Sequence, residues 1–254
     1  RVDFAILETG LGGRLDSVTA ANAEVAIFTS ISYDHTQILG MQLSDIGYEK
    51  TEALSKKTQL ILSDLQHPII QKILNKKAKQ LNKNIYYLTN KTNPTKFNFR
   101  YLKGIHQRQN GELVKQTIFQ MKTIYQLSIL NICKHISTTH WPGRVQLLSK
   151  SPDVLFDVAH NNSSIRAFMK YYESISFKYK KCYLICGFEE GKDIKKSLQE
   201  LINHFNVVII TETNIRKSMH AKVIAKLLQN PNHQMISIQK NPKDVITITH
   251  KNLN

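Results

Sequence analysis

The 254 residues are 41% hydrophobic and 21% charged, enough apolar side chain for one large core or two ordinary ones. That balance excludes a disordered tail, a collagen-like repeat and a membrane bundle, and no apolar run is long enough to cross a bilayer. Thirty-five Lys and Arg against 19 Asp and Glu give +16, which suits anionic partners, but the basic residues are scattered as short pairs such as Lys56-Lys57 and Lys195-Lys196. Such dispersion reads as a solvated lysine-rich surface and argues against nucleic acid as a partner.

In chain order, Val2 to Leu7 reads as a buried strand and Val25 to Phe28 as another. A helical stretch over Ser44 to Lys57 leads into the apolar run Leu60-Ile61-Leu62. Ile69, Ile70, Ile73, Leu74 and Leu81 then recur at helical spacing before Ile85 to Leu88. Strands separated by helices of this length predict parallel sheets with helical crossovers. The helical pattern resumes from His106 to about Ile136. Thr138 to Gly143, with Trp141-Pro142, breaks the periodicity and marks a domain boundary, giving domains 1–140 and 141–254. Beyond it the alternation restarts: Val154 to Phe156, a helix from Ser163, Tyr183 to Ile185, a helix from Asp193, Val207 to Ile210, a helix near Ala221 to Leu228, and Met235 to Ile238. Cys133, Cys182 and Cys186 lack metal-site spacing, and the last two lie in an apolar run, so reduced thiols in a cytoplasmic protein are expected. The opening Arg1-Val2-Asp3-Phe4 has neither an initiator Met nor a signal-peptide pattern, which predicts that the chain begins inside a larger protein.

Three of the ten glycines, Gly10, Gly12 and Gly13, fall within four residues directly after the first apolar run, followed by Arg14 and Asp16. Ligands of open α/β sheets bind beyond the carboxyl ends of strands, where glycine lets the backbone come close. A plain tight turn explains the glycines equally well, while Glu8, Arg14 and Asp16 weigh toward a polar site. The second run ends in Thr29-Ser30-Ile31-Ser32-Tyr33-Asp34-His35. If the two strands are neighbours, Glu8 and His35 emerge on one sheet edge, as a divalent-metal pair or a general acid/base pair. Mg²⁺ prefers oxygen, so His35 reads equally well as a hydrogen-bonded loop residue. Lys50 alone on its helix reads as solvated.

Taken together, Glu8 to Asp16, Ser30 to Gly40 and Glu49-Lys50 resemble, in order and spacing, the folylpolyglutamate synthase and dihydrofolate synthase family of the Mur ligase superfamily. Leu102 to Asn110 is similar to that family's motif opening a helix, Trp141-Pro142-Gly143-Arg144 to its signature at the second domain, and Asp157 to Asn161 to the motif after that domain's first strand. Gly187 with Lys192-Asp193 matches a further weak signature. The resemblance implies an α/β protein: the back part of a P-loop-type ATPase domain, then a Rossmann-like C-terminal domain lacking its last strand. It also implies an ATP-dependent amide ligase that adds L-glutamate to dihydropteroate or folate through an acyl phosphate, with ATP and Mg²⁺ as cofactors. By the same resemblance Glu8, His35 and a carbamylated Lys50 ligate the metal. Asn110, Arg144 and Asp157 bind ATP, and Lys50 and His160 are catalytic.

The sequence departs from the family in several places. No Gly-rich loop ending in Gly-Lys-Ser/Thr occurs, so the 254 residues are read as a fragment that is inactive by itself. Val18-Thr19, Thr51-Glu52, Val158 and Asn162 stand where the family carries Thr-Asn, Ala-Gly, Gly and Pro. The competing readings are a Mur-type peptidoglycan-precursor ligase, an inactive remnant and a basic binding module.

Overall fold

The structure is a computed structural model that describes residues 2–88, 97–127, 130–191, 194–212 and 217–228, and the backbone of 235–239. It divides into two compact units. The first comprises Arg1–Leu102 and His106–His140, the second Lys103–Ile105 and Trp141–Asn254.

The first unit is built on three parallel strands in the order β1 (Val25–Phe28), β2 (Leu60–Ser63), β3 (Ile85–Tyr87). All four residues of β2 are buried, as a central parallel strand requires. Alternation sends them to opposite faces. Ile61 packs with Phe28, Leu54 and with Leu74 and Ala78 of helix α3 (Pro68–Gln80). Leu60 and Leu62 pack on Leu113 of helix α4 (Ile105–Tyr125). Helix α3 starts where Pro68 can occupy the first turn without losing a hydrogen bond, and His67 Nδ1 accepts the Ile69 N–H at 3.3 Å. The crossover between β1 and β2 carries two shorter helices, α1 (Thr36–Leu39) and α2 (Leu43–Thr51).

The second unit contains parallel strands in the order β6 (Tyr183–Cys186), β7 (Val207–Thr211), β8 (Met235–Gln239). Ile165, Met169 and Tyr172 of α6 (Asn162–Ser176), Leu198 and Leu201 of α7 (Lys195–Ile202) and Ile224 of α8 (Ala221–Leu227) bury Leu184, Cys186, Val208 and Ile210. Ahead of α6, strands β4 (Gln146–Ser149) and β5 (Val154–Phe156) form a separate antiparallel pair.

Four expectations are corrected. Val2 to Leu7 forms no strand. Its side chains are exposed, Ile6 by 97%, because no described segment offers its backbone a ladder partner. The second helix ends at Thr51 rather than Lys57, as the Leu54 N–H turns back to the Thr51 carbonyl and Leu54 enters the core. The pattern from His106 to Ile136 is two helices, α4 and α5 (Ile132–Thr138), interrupted by left-handed Gln126 and Asn131. Val154 to Phe156 pairs antiparallel with β4, which the alternation did not reveal. Lys192-Asp193, the helix start placed at Asp193 and the C-terminal stretch after Gln239, on which the expectation of an absent last strand bears, lie outside the described residues.

Candidate functional site

In the first unit the glycine-rich turn is folded by one carboxylate. Asp16 Oδ2 accepts the N–H groups of Gly10 (2.9 Å) and Leu11 (2.8 Å), and Oδ1 accepts that of Val18 at 2.9 Å. These bonds, that from Leu11 foremost, hold the Asp16 carboxyl below the usual carboxylate range against some opposing burial, and the Lys50 ammonium adds to the lowering. The turn lies on the last turn of α2. The Arg14 N–H donates to the Glu49 carbonyl at 2.8 Å, and Arg14 Nε donates to Glu49 Oε1 at 2.9 Å. The close approach requires glycine: a Cβ on Gly13 would lie 2.8 Å from both the Glu49 and Lys50 carbonyl oxygens. Gly12, at φ +66°, supplies the left-handed bend. The turn and Glu49-Lys50 are thus one assembly, and Lys50 is half-buried within it.

Glu8 is exposed and makes no side-chain hydrogen bond or ion pair among the described residues; none joins it to His35. The premise that would align the two, a strand through Val2 to Leu7 beside β1, is absent from the described sheet. His35 closes the loop after β1, in the left-handed conformation (φ 50°, ψ 34°) at the cap of α1. A non-glycine residue there costs roughly 1–2 kcal/mol, so the loop must be held from outside. Its N–H donates to Asp34 Oδ1 at 2.8 Å, and its Nε2 lies 3.9 Å from the same oxygen.

The loop's other tie is Gln66, which no sequence motif singled out. Its Nε2 donates to the Thr29 carbonyl at 2.8 Å and to Ser63 Oγ at 3.2 Å, while its Oε1 accepts the Ile31 N–H at 2.9 Å. Beside it, Asp64 is only 7% exposed; burial raises its carboxyl above the ordinary range, partly offset by the Leu65 N–H. Asn110, exposed on α4, donates to Gln107 Oε1 at 3.3 Å, one turn earlier.

The second unit's candidates share one knot. Asp157, following β5, accepts the Val145 N–H on Oδ2 and the Ala159 N–H on Oδ1, both at 2.8 Å. The Val158 N–H donates to the Gly143 carbonyl at 3.0 Å. Arg144 is therefore held between two tied residues with its side chain exposed. His160 Nδ1 lies 3.0 Å from the Val158 carbonyl, and Asn161 caps α6 by accepting the Ser164 N–H at 2.9 Å. Asp157 thus ties down its own loop, and the cap is Asn161. Val158 fits because Gly143 leaves room: a Cβ on Gly143 (φ +72°) would come 2.6 Å from Val158 Cγ1.

Chemically, the first unit sets a lysine and carboxylates beside a turn whose Gly10, Leu11 and Arg14 N–H groups are already taken by Asp16 and the Glu49 carbonyl. No group of three or more His, Cys, Asp or Glu that could hold a metal occurs among the described residues.

Residues 143–253 match the Mur ligase glutamate ligase domain. Over 242 residues the chain is 28% identical to the dihydrofolate synthase/folylpolyglutamate synthase of Buchnera aphidicola subsp. Baizongia pistaciae, covering 92% of this chain and 57% of that protein. It is 32% identical over 168 residues to the Escherichia coli protein so named, covering 63% and 40%. Among solved structures, Mycobacterium tuberculosis folylpolyglutamate synthase complexed with ADP and AMPPCP superposes with a TM-score of 0.83 at 19% identity, over 96% of this chain and 60% of that one. The Yersinia pestis bifunctional enzyme complexed with AMPPNP and Mn ion gives 0.77 at 20% identity, over 96% and 59%. The chain spans about half the length of the curated relatives it matches.

Proposed function

We propose that this chain, which belongs to the folylpolyglutamate and dihydrofolate synthase family, supplies part of an ATP-dependent ligase joining L-glutamate to dihydropteroate or folate. A carboxylate is a poor acyl donor because its leaving group would be oxide. In the proposed reaction it attacks the γ-phosphorus of ATP, the bond to the bridging oxygen breaks and ADP leaves. The glutamate amine then attacks the acyl carbon, gives up a proton and expels inorganic phosphate. Such phosphoryl transfer depends on positioning and on charge stabilisation more than on covalent chemistry by the protein.

In this reading Glu8 and His35, with Lys50 as the family's modified lysine, hold Mg²⁺, which would neutralise charge on the phosphates. Unmodified, the Lys50 cation adds to the lowering of the Asp16 carboxyl. Arg144 presents its planar fork to phosphate oxygens. Asp157 keeps lone pairs for ribose hydroxyls after accepting its two backbone N–H groups, and Asn110 offers adenine both a donor and an acceptor. His160 lies near the transferred phosphate or the incoming glutamate. The observation that carries the proposal is the knot holding Arg144, Asp157 and His160 inside the segment that matches a glutamate ligase domain.

The 254 residues alone are expected to turn over no substrate, since they contain no Gly-Lys-Ser/Thr phosphate loop. The proposed location is the cytoplasm, a reducing compartment that suits the unpaired Cys133, Cys182 and Cys186. Among the described residues no helix is long and apolar enough to cross a membrane. The test is a fusion of this chain to the phosphate-loop half of a relative, supplied with ATP, Mg²⁺, glutamate and dihydropteroate or folate. Glutamate-dependent ADP release and amide product are expected. A folded fusion that binds ATP yet forms no amide overturns the proposal.

A further inference from the structure

We propose that Gln66 is a positioning residue for His35, fixing the loop after β1 so that the imidazole is presented in one orientation. The inference deepens the reading of His35 as a metal ligand and rests on it. Residues 29–35 contain no regular structure, yet they deliver a non-glycine residue in the left-handed region at their end. Backbone groups in such a loop need partners from elsewhere. The Gln66 amide supplies two of them, one as donor to Thr29 and one as acceptor from Ile31. A side-chain amide does both at once from one planar group, whereas a carboxylate donates nothing and an ammonium accepts nothing.

The geometry favours a latch over a surface contact. Gln66 is 8% exposed, and its nitrogen also reaches Ser63 Oγ at the end of fully buried β2. Ser63 Oγ in turn donates to the Asp64 carbonyl at 2.9 Å. The loop after β1 is therefore fastened to the end of β2, and both lie at the carboxyl edge of the parallel sheet, where α/β proteins place their ligands. Ile31 sinks its side chain against the Phe28–Ile61 cluster, so the bond to its N–H fixes the middle of the loop while Asp34 fixes its end.

Gln66→Met keeps the size and removes all three bonds; Ser63→Ala disturbs the same neighbourhood while leaving both bonds to the loop. Both variants of the full 254-residue chain are compared with the parent by amide hydrogen exchange and by the ring resonances of His35. Exchange across residues 29–35 is expected to rise about tenfold or more in Gln66→Met, the loss of one to two net hydrogen bonds. The His35 ring signals should become averaged, β2 amides should be unchanged, and Ser63→Ala should leave the loop protected. Unchanged loop exchange in Gln66→Met, or equal loosening in Ser63→Ala, overturns the proposal. So does a His35 signal that stays dispersed when the loop loosens. Mn²⁺ with ATP, added to the phosphate-loop fusion, separates the two readings. Selective broadening of the His35 ring signals supports the metal assignment, whereas its absence counts against that assignment and leaves the latch to be judged by exchange and dispersion.

Discussion

Alanine placed at each glycine of the 10–13 turn should have three different effects. At Gly13 the new Cβ would lie 2.8 Å from two main-chain oxygens and 3.2 Å from Ala53 Cβ. None of these can swing aside, so the turn must lift from α2 and stretch the Arg14–Glu49 main-chain bond. About 1 kcal/mol for that bond plus about 1–3 for overpacking gives a cost of roughly 2–4 kcal/mol. At Gly12 the penalty is the left-handed backbone, roughly 1–2 kcal/mol, with Leu39 Cδ2 at 3.0 Å as a yielding neighbour. At Gly10 the nearest atom is Asp16 Oδ2 at 3.5 Å, an ordinary contact, and the stiffer unfolded chain should stabilise by about 0.4–1 kcal/mol. Because the chain has two units, opening free energies are best read from amide exchange of Ile61 and Leu62 in β2, which report the first unit alone. If Gly13→Ala came within about 0.5 kcal/mol of the parent, or Gly10→Ala proved as costly, the argument that the turn is pressed onto α2 would fail.

In the second unit, Asp157→Ala should cost about 2–4 kcal/mol, because two backbone N–H groups lose a charged acceptor. Urea unfolding followed by Trp141, the single tryptophan, checks this. Asp64 and Asp16 should respond to pH with opposite signs. The Asp64 carboxyl is raised in the folded state, so stability falls as pH climbs from the ordinary carboxylate range through the raised value. Asp64→Asn should flatten that limb and raise the denaturation midpoint at neutral pH. The Asp16 carboxyl is lowered, so its contribution is present above the ordinary range and disappears on acidification, a loss that Asp16→Asn should abolish. Burial pushes the Cys186 thiol up to about 12, and a thiol reagent at pH 8 should label exposed Cys133 rapidly and Cys186 only after unfolding.

The strands best read from sequence were those whose burial is total. The β2 run from Leu60 and the β7 run from Val207 are continuous apolar segments because both faces are covered. Val2 to Leu7 carries the same signal and makes no strand, since apolarity records a capacity for burial while pairing depends on a partner distant in sequence. The break between α4 and α5 escaped for the opposite reason. Gln126 and Asn131 adopt left-handed backbones without the glycine or proline that would announce them. Among the site residues, the glycine turn was legible because glycines so close together are conspicuous. The role of Asp16 in folding that turn, and that of Gln66 behind His35, arise from contacts six and 35 or more residues apart and leave no local pattern.

Gly143 and Val158 also constrain how this segment can change over generations. With the isopropyl group of Val158 filling the space where a Cβ on Gly143 would sit, and with φ +72° straining any side chain there, position 143 is held to glycine on two counts. The reverse replacement, Val158→Gly, meets no such barrier. Drift at these two sites is therefore one-sided: 158 can vary while 143 stays glycine, and a descendant bearing bulk at both should not be found.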